Sequence, residues 1–155
     1  MLYPLSYRGM TSALRLLLHH APVMIPVQMG MQAIALVFAG AGVGGVARYL
    51  LSLALNPLLS ALQLGTLVSN VLGCGIAGAL LGVFLARPGP DVSMRLLLIT
   101  GFLGGLTTFS SFALEVLEML EASRPLLAVG TIALHVGASL VATVLGLWAM
   151  RALLA

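Results

Sequence analysis

The sequence contains little charge and no lysine. Only 7% of its 155 residues are charged, against about 25% in soluble proteins. Its seven basic residues are scattered arginines, which argues against a nucleic-acid-binding face. The one cysteine, Cys74, lies in an apolar run, so it forms no internal disulfide, has no Cys or His neighbour at metal-site spacing and is interpreted as a small packing residue. A soluble domain this small could not bury a hydrophobic content of 61%, so we predict a protein that lies in a lipid bilayer.

Four hydrophobic stretches reach the roughly 20 residues that a membrane helix needs. Pro57 follows the first stretch, and Pro125 follows a charged turn after the third. Proline ends helices because it lacks a backbone donor and disfavours helix in the preceding residue. The sequence therefore predicts an all-α membrane protein with four transmembrane helices, over Ala33 to Leu55, Leu62 to Ala86, Met94 to Leu120 and Leu126 to Leu153.

The first 30 residues differ from the rest, since they combine arginines, histidines and prolines with only short apolar runs. Two explanations stay open. The segment is an amphipathic surface element, or its start codon is assigned too early, because Met31 leads directly into the first span. The short runs argue against a signal peptide. We therefore expect an N-terminal extension over residues 1–30 and a four-helix transmembrane domain over residues 31–155.

The arginines predict how the chain inserts. Four spans place both termini and the central loop on one side, which carries Arg87, Arg95 and Arg151, whereas Arg124 lies on the other. Arginines of the first 30 residues add to the larger count only if that segment is real. Without them the bias is weak enough for insertion in both directions, which would give an antiparallel dimer.

Glycines four residues apart occur in three of the spans. Such pairs expose backbone on one helix face and let helices approach closely, although glycine is also generally commoner in membrane helices. We predict close helix packing at Gly40 and Gly44, Gly78 and Gly82, and Gly101 and Gly105.

The third span contains a segment that disfavours a regular helix. Gly104 and Gly105 are followed closely by Thr107 and Thr108, so we predict that this helix is broken. Broken backbone at membrane depth requires protein or a water-filled cavity around it, and its freed carbonyl oxygens can bind ions. Two interpretations remain open: a cation site formed by backbone carbonyls near Gly104 and Thr107, or a flexible kink.

After this segment, Phe109, Phe112 and Glu115 recur every three residues and share one helix face, with Ser111 near its edge. The edge of a phenylalanine ring is partly positive. Together with hydroxyl and amide donors, such edges can replace the hydration shell of a small anion without trapping it as a lysine would. The alternative is ordinary helix packing.

The other spans also carry polar side chains. Asn70 of the second span can donate hydrogen bonds to an anion or join helices. Arg48, near the middle of the first span, is costly there and needs a partner or the membrane interface. The fourth span carries a stripe with four-residue spacing, which is either part of a pore wall or a set of interhelical hydrogen bonds: Thr131, His135, Ser139 and Thr143.

These residues resemble the Fluc, or CrcB-like, family of fluoride channels from about Met31 to the C-terminus. Three motifs carry the resemblance: Gly44-Gly45-Val-Ala-Arg48, Gly65-Thr66 with Asn70 and Gly73, and Gly-Gly-Leu-Thr-Thr-Phe-Ser-Ser-Phe from Gly104 to Phe112. The last motif is highly specific. Ser111 stands where threonine is commoner in the family, and His135 is unusual.

The resemblance implies a fluoride-selective channel of the bacterial inner membrane, a multi-pass protein that exports fluoride passively and lowers its cytoplasmic concentration. It also implies an antiparallel, dual-topology homodimer with two pores and one structural sodium ion. Carbonyl oxygens of Gly104 and Thr107 would bind the sodium. The fluoride pathway would include Asn70, Phe109, Phe112, Thr66, Ser111 and Glu115, and we add Ser139 from the polar stripe.

Other function classes fit the sequence less well. A small multidrug-type, proton-coupled exporter also has four spans, but it needs a carboxylate at the membrane centre, typically in its first span, which here carries Arg48. A structural membrane subunit would explain the glycines and leave the polar face unexplained. An enzyme is least supported, because no nucleophile has a base and an orienting acid nearby in sequence.

Overall fold

The computed structural model describes residues 27–59, 61–86 and 91–154. The chain divides into two units, Met1–Gln32 and Ala33–Ala155, and of the first unit only residues 27–32, at the start of a helix, are described. The rest of the expected N-terminal extension lies outside the described residues, as do residues 87–90 of the turn after the second span.

Helices account for nearly all of the described chain. Helix α1, Val27–Leu55, is followed by a short 3-10 turn, Asn56–Leu58. Helix α3 begins as Val92–Arg95, continues as a π-helix over Leu96–Leu103 and ends with Gly104–Leu106. The described ranges contain no strand. Helix α1 is regular, as are the other helices: α2 is Leu64–Ala86, α4 is Phe109–Glu121 and α5 is Pro125–Leu154.

Four segments are long and apolar enough to cross a membrane, so the predicted all-α architecture with four spans is confirmed. The predicted bounds agree with the observed ones to within three residues at every end. The third segment combines α3 and α4, and the four are Gly30–Leu58, Leu64–Ala86, Val92–Glu121 and Pro125–Leu154.

Side-chain and backbone hydrogen bonds are found at the ends of the helices. Oδ1 of Asn56 accepts a bond of 2.8 Å from the backbone N–H of Gly65, which joins the end of α1 to the start of α2. Asp91 caps α3 by accepting from the N–H of Ser93. Ser123, between α4 and α5, has a φ of 57°, a left-handed conformation that favours glycine. Its N–H donates to the Leu120 carbonyl and thereby closes the last turn of α4.

Close backbone contacts hold the helices together. Helix α2 packs along α5, and a Cβ added at Gly78 would overlap the carbonyl oxygen of Thr143. A Cβ at Gly44 would likewise overlap the carbonyl of Phe102, which places α1 directly on α3. The prediction of close packing is confirmed, because an added Cβ would meet another helix within 3.0 Å at all six predicted positions, Gly40, Gly44, Gly78, Gly82, Gly101 and Gly105.

The distribution of side chains is the reverse of that in a soluble protein. Large apolar side chains cover the outer surface, and Phe38 is 81% exposed. Polar side chains lie inside, where Ser69 is fully buried and Glu115 is only 2% exposed. Such a surface is stable in lipid, and the polar interior is the part that can contact ions.

Candidate functional site

The backbone changes course at Thr107 and Thr108. Thr107 (φ −86°, ψ 152°) and Thr108 (φ −150°, ψ 119°) are both extended, between the end of α3 at Leu106 and the start of α4 at Phe109. Thr108 is the N-cap of α4, since its Oγ1 accepts a bond of 3.2 Å from the N–H of Ser111. Hydroxyl side chains compete for backbone donors in this way, which explains why two adjacent threonines occupy this position.

The side chain of Asn70 holds this extended segment. Its Oδ1 accepts a 2.7 Å bond from the backbone N–H of Thr108, and its Nδ2 donates a 3.1 Å bond to the backbone carbonyl of the same residue. Both backbone groups of Thr108 are thus bound by one amide from α2. Since an amide nitrogen carries two hydrogens, Asn70 keeps one hydrogen for another acceptor.

These bonds release carbonyl oxygens from helical pairing. In a continuous helix the N–H of Thr108 would donate to Gly104 and the N–H of Ser111 to Thr107. Here those N–H groups donate to Asn70 and to Oγ1 of Thr108 instead. The carbonyls of Gly104 and Thr107 are therefore available to other ligands, and Gly104 is exposed on the surface of the chain.

Arg48 is directed toward the same segment. Its Nε donates a bond of 3.1 Å to the carbonyl oxygen of Gly105. The sequence indicated that an arginine within the first span needs a partner, and this carbonyl is one. A charged donor at a backbone carbonyl beside the extended segment also satisfies a group that the end of α3 leaves unpaired.

Three aromatic rings, those of Phe109, Phe112 and His135, lie close together after the extended segment. The rings of Phe109 and Phe112 are 5.5 Å apart and meet edge to face at 62°. The ring of Phe112 also lies 4.7 Å from the ring of His135. Phe112 is 8% exposed, whereas Phe109 is 79% exposed in the single chain. The two phenylalanines do share a helix face, but only Phe112 is buried within one chain.

A cavity of about 270 Å³ lies between α2, the extended segment, α4 and α5. It brings together Asn70, Thr107, Phe109, Phe112 and Ser139 from the predicted site. Its full lining is Asn70, Cys74, Thr107, Thr108, Phe109, Phe112, His135, Val136 and Ser139. The combination of one amide, several hydroxyls and aromatic edges suits a small anion.

Glu115 lies one turn beyond Phe112 and faces a second cavity, also of about 270 Å³. Its Oε1 accepts a 2.6 Å bond from the backbone N–H of Gln63, while Oε2 is buried without a hydrogen-bond partner among the described residues. The lining of this cavity near the loops includes Asn56, Gln63, Glu118 and Arg124. The carboxylate of Glu115 is therefore held in this second cavity, near the ends of the helices.

The remaining predicted residues do not line either cavity. Thr66 is 3% exposed, and its carbonyl accepts the hydroxyl of Ser69. The hydroxyl of Ser111 accepts a 3.2 Å bond from Oγ1 of Thr108. In the single chain Ser111 thus bonds to the extended segment, whereas Thr66 is buried in α2 and bonds to Ser69 of its own helix.

The polar stripe of α5 is bonded mostly within its own helix. Oγ1 of Thr143 donates to the Ser139 carbonyl, and Nδ1 of His135 bonds to the Thr131 carbonyl. Only Oγ1 of Thr131 bonds to another helix, at Sδ of Met119 on α4. Two residues of the stripe, His135 and Ser139, line the cavity.

The site predicted from the sequence omitted Gln63 and Cys74. Gln63 contributes a backbone donor, which no side-chain pattern could reveal. Cys74 was interpreted as a packing residue, although it follows Asn70 by four residues and so shares its helix face. That spacing was the available signal.

Comparison with known proteins is consistent with this arrangement. The family described as CrcB-like protein, Camphor Resistance (CrcB), matches residues 35–147. A protein of Pseudomonas aeruginosa (strain UCBPP-PA14) named "Fluoride-specific ion channel FluC" is 45% identical over 120 residues, which cover 77% of this chain and 94% of that protein. A protein of the same name from Dechloromonas aromatica (strain RCB) is 49% identical over 108 residues, 70% of this chain and 80% of that protein. One from Haemophilus influenzae (strain PittEE) is 44% identical over 118 residues, 76% and 92% of the two chains.

Proposed function

The chain belongs to the CrcB-like family, and we propose that it is a fluoride-specific ion channel of the bacterial inner membrane through which fluoride leaves the cytoplasm passively. The observation that carries this proposal is the identity with relatives named fluoride-specific ion channels over nearly their whole length. The membrane-spanning helices agree with it. As a channel, the protein is proposed to have no enzymatic activity.

The cavity beside the extended segment offers the contacts that a conducted anion needs. Asn70 retains one amide hydrogen, and Phe112 lies at the wall with its ring in contact with those of Phe109 and His135. No arginine is among the described residues that line this cavity. Dipoles and ring edges bind fluoride weakly enough to release it, whereas a fixed cation in direct contact would hold it.

We further propose that two chains assemble antiparallel as a dual-topology homodimer with two fluoride pathways. The support is the exposure of Phe109, which lies in the motif but is 79% exposed in the single chain. A second copy would cover this ring and complete the cavity wall. The weak arginine bias of the loops is compatible with insertion in both directions.

A structural sodium ion is proposed between the two copies. The carbonyls of Gly104 and Thr107 lack their helical partners because of the bonds to Thr108 and Asn70, and carbonyl oxygens are the hard ligands that such a cation prefers. Related atoms of both chains can converge where a two-fold axis passes between them. The ion would neutralise these carbonyl dipoles and join the two extended segments.

The proposed sodium site is tested by removing sodium. Purified protein transferred from sodium to N-methylglucamine solution is expected to unfold at a lower temperature, and potassium at the same ionic strength should not restore the midpoint fully. Equal midpoints in all three solutions would contradict the sodium site.

The function itself is tested by ion flux from liposomes. Vesicles containing the purified protein should release fluoride down its gradient, with no requirement for a proton gradient or a nucleotide, while chloride is retained. Protein-free vesicles measure the leak of hydrogen fluoride. Flux that stops when the proton gradient is removed would favour the proton-coupled exporter, and equal release of chloride would contradict fluoride specificity.

A further inference from the structure

The imidazole of His135 is held in one position. Its Nδ1 lies 3.1 Å from the carbonyl oxygen of Thr131, one turn earlier in α5. A carbonyl oxygen only accepts hydrogen bonds, so Nδ1 carries the hydrogen and Nε2 of the neutral ring has a lone pair. Because the side chain is only 4% exposed, this bond and the packing around the ring fix its orientation.

The other ring nitrogen of His135 makes the residue costly. Nε2 is buried, has essentially no accessible surface and has no hydrogen-bond partner among the described residues. A buried polar atom left unpaired lowers stability, whereas an apolar side chain of similar size avoids this loss. Stability alone would therefore favour a residue such as leucine at this position, and the histidine requires a functional reason.

The contact between His135 and Phe112 supplies such a reason. The two ring centroids are 4.7 Å apart and the ring planes are inclined by 38°, a distance at which flat rings constrain each other's orientation. The ring of Phe109 also contacts Phe112, at 5.5 Å, but it is 79% exposed in the single chain. Of these two neighbours, only the imidazole is buried and fixed by the chain itself.

We propose that His135 is a positioning residue for fluoride conduction, whose ring holds the ring of Phe112 with its positive edge toward the cavity. This role rests on the proposed function. Phe112 would touch the anion, and His135 would act only through Phe112, since its unpaired nitrogen is closed off from the cavity. A branched aliphatic side chain could fill the same space but would offer no flat surface to the ring.

Replacing His135 with leucine separates conduction from stability. The variant loses the flat ring together with the unpaired nitrogen. We expect fluoride flux from liposomes to fall at least about threefold, because a contact group that is loosely held binds less well. The midpoint of unfolding in detergent should stay equal to that of the parent or rise, because the unpaired nitrogen is gone. Ile132→Leu, on the same helix at a position that is 41% exposed, should change neither quantity.

A flat ring at position 135 should restore conduction. We expect His135→Phe, which has no ring nitrogen, to conduct within about twofold of the parent, because its ring can pack against Phe112 as the imidazole does. A folded His135→Leu variant that conducts like the parent would overturn the proposal.

A double variant tests whether His135 acts through Phe112, whether or not the larger phenylalanine fits at position 135. In the Phe112→Ile background the imidazole has no ring to orient. Adding His135→Leu should therefore leave the flux within about twofold of the Phe112→Ile variant, measured with enough protein for the residual flux to exceed the leak. Independent effects would multiply, so a combined loss equal to the product of the two single losses would contradict the proposal.

The ring contact is also measured without flux, by fluorine NMR of the full chain labelled with para-fluorophenylalanine. The chain has five phenylalanines, and the signal that Phe112→Ile removes is that of Phe112. We expect His135→Leu to shift this signal and Ile132→Leu to leave it in place. A conducting parent whose Phe112 signal does not move in the folded leucine variant contradicts the positioning role alone. A signal that depends on His135 in a parent that conducts no fluoride supports the contact and contradicts the proposed function, so the two failures are distinguishable.

Discussion

Replacing Asn70 with alanine tests whether one side chain of α2 holds the extended segment of the third span. The amide makes two hydrogen bonds to the backbone of Thr108, at 2.7 and 3.1 Å. Alanine removes both and leaves the N–H of Thr108 unpaired, whereas its carbonyl, at the N-cap of α4, keeps its helical bond. We therefore expect Asn70→Ala to destabilise the fold as well as to reduce fluoride flux.

The magnitude follows from the two bonds. A typical hydrogen bond contributes about 1 kcal/mol net, and a buried polar group left without a partner costs about 1–3 kcal/mol. Because Thr108 is only half-buried, the unpaired N–H should cost about 1–2 kcal/mol and the lost bond to the carbonyl about 1 kcal/mol, so the total loss of unfolding free energy should be about 2–3 kcal/mol.

Ser69 provides the matched control, since it is adjacent in sequence and fully buried. Its hydroxyl donates a 3.0 Å bond to the carbonyl of Thr66 in its own helix, so Ser69→Ala breaks no hydrogen bond between helices and should cost less than about 1 kcal/mol. The assay is reversible unfolding in detergent micelles with increasing dodecyl sulfate, followed by the fluorescence of Trp148, the one tryptophan of the chain. Equal losses for the two variants would refute the assignment of Asn70 as the residue that holds the segment.

Further substitutions test the ring, the packing and the turn. Phe112→Ile should reduce fluoride flux at least about tenfold because isoleucine lacks a positive ring edge, whereas Phe102→Ile, which lies in an apolar groove outside the cavity, should conduct nearly like the parent; similar flux would count against the pore assignment. Gly78→Ala should cost about 1–3 kcal/mol of stability by overpacking, and Gly130→Ala, where an added Cβ meets no atom within 4 Å, should cost nothing measurable in the same unfolding assay. Ser123→Gly should raise stability by about 0.5–1 kcal/mol, since glycine removes the strain of a positive φ, and a loss would contradict this account of the turn.

The four spans could be predicted from sequence because lipid solvation depends on local composition. A run of apolar residues is stable in the bilayer wherever its neighbours lie, and proline or charge marks its ends. The glycine pairs were informative for the same reason, since residues four apart share a helix face whatever packs against it. Their partners, such as the carbonyl of Thr143 against Gly78, depend on how helices pair and could not be read from the chain.

The candidate site was only partly predictable. The composition around Gly104 indicated weak helix, but the bonds between Asn70 and Thr108 join residues 38 positions apart, and no local pattern contains them. The π-helix over Leu96–Leu103 was not predicted either, because sequence spacing does not distinguish its i→i+5 hydrogen bonds from those of an α-helix. Cys74 and His135 share a cavity for the same non-local reason.

The dependence of the extended segment on Asn70 limits which part of this protein can be transferred to another membrane protein. A designer who copies the nine residues from Gly104 to Phe112 into an unrelated membrane helix would copy the threonines but not the bonds to the backbone of Thr108. In lipid, an N–H without a partner is expensive, so the grafted segment should relax to a continuous helix and lose its free carbonyls. The smallest unit that can be moved between scaffolds is therefore this segment together with a neighbouring helix that carries an asparagine at the matching height.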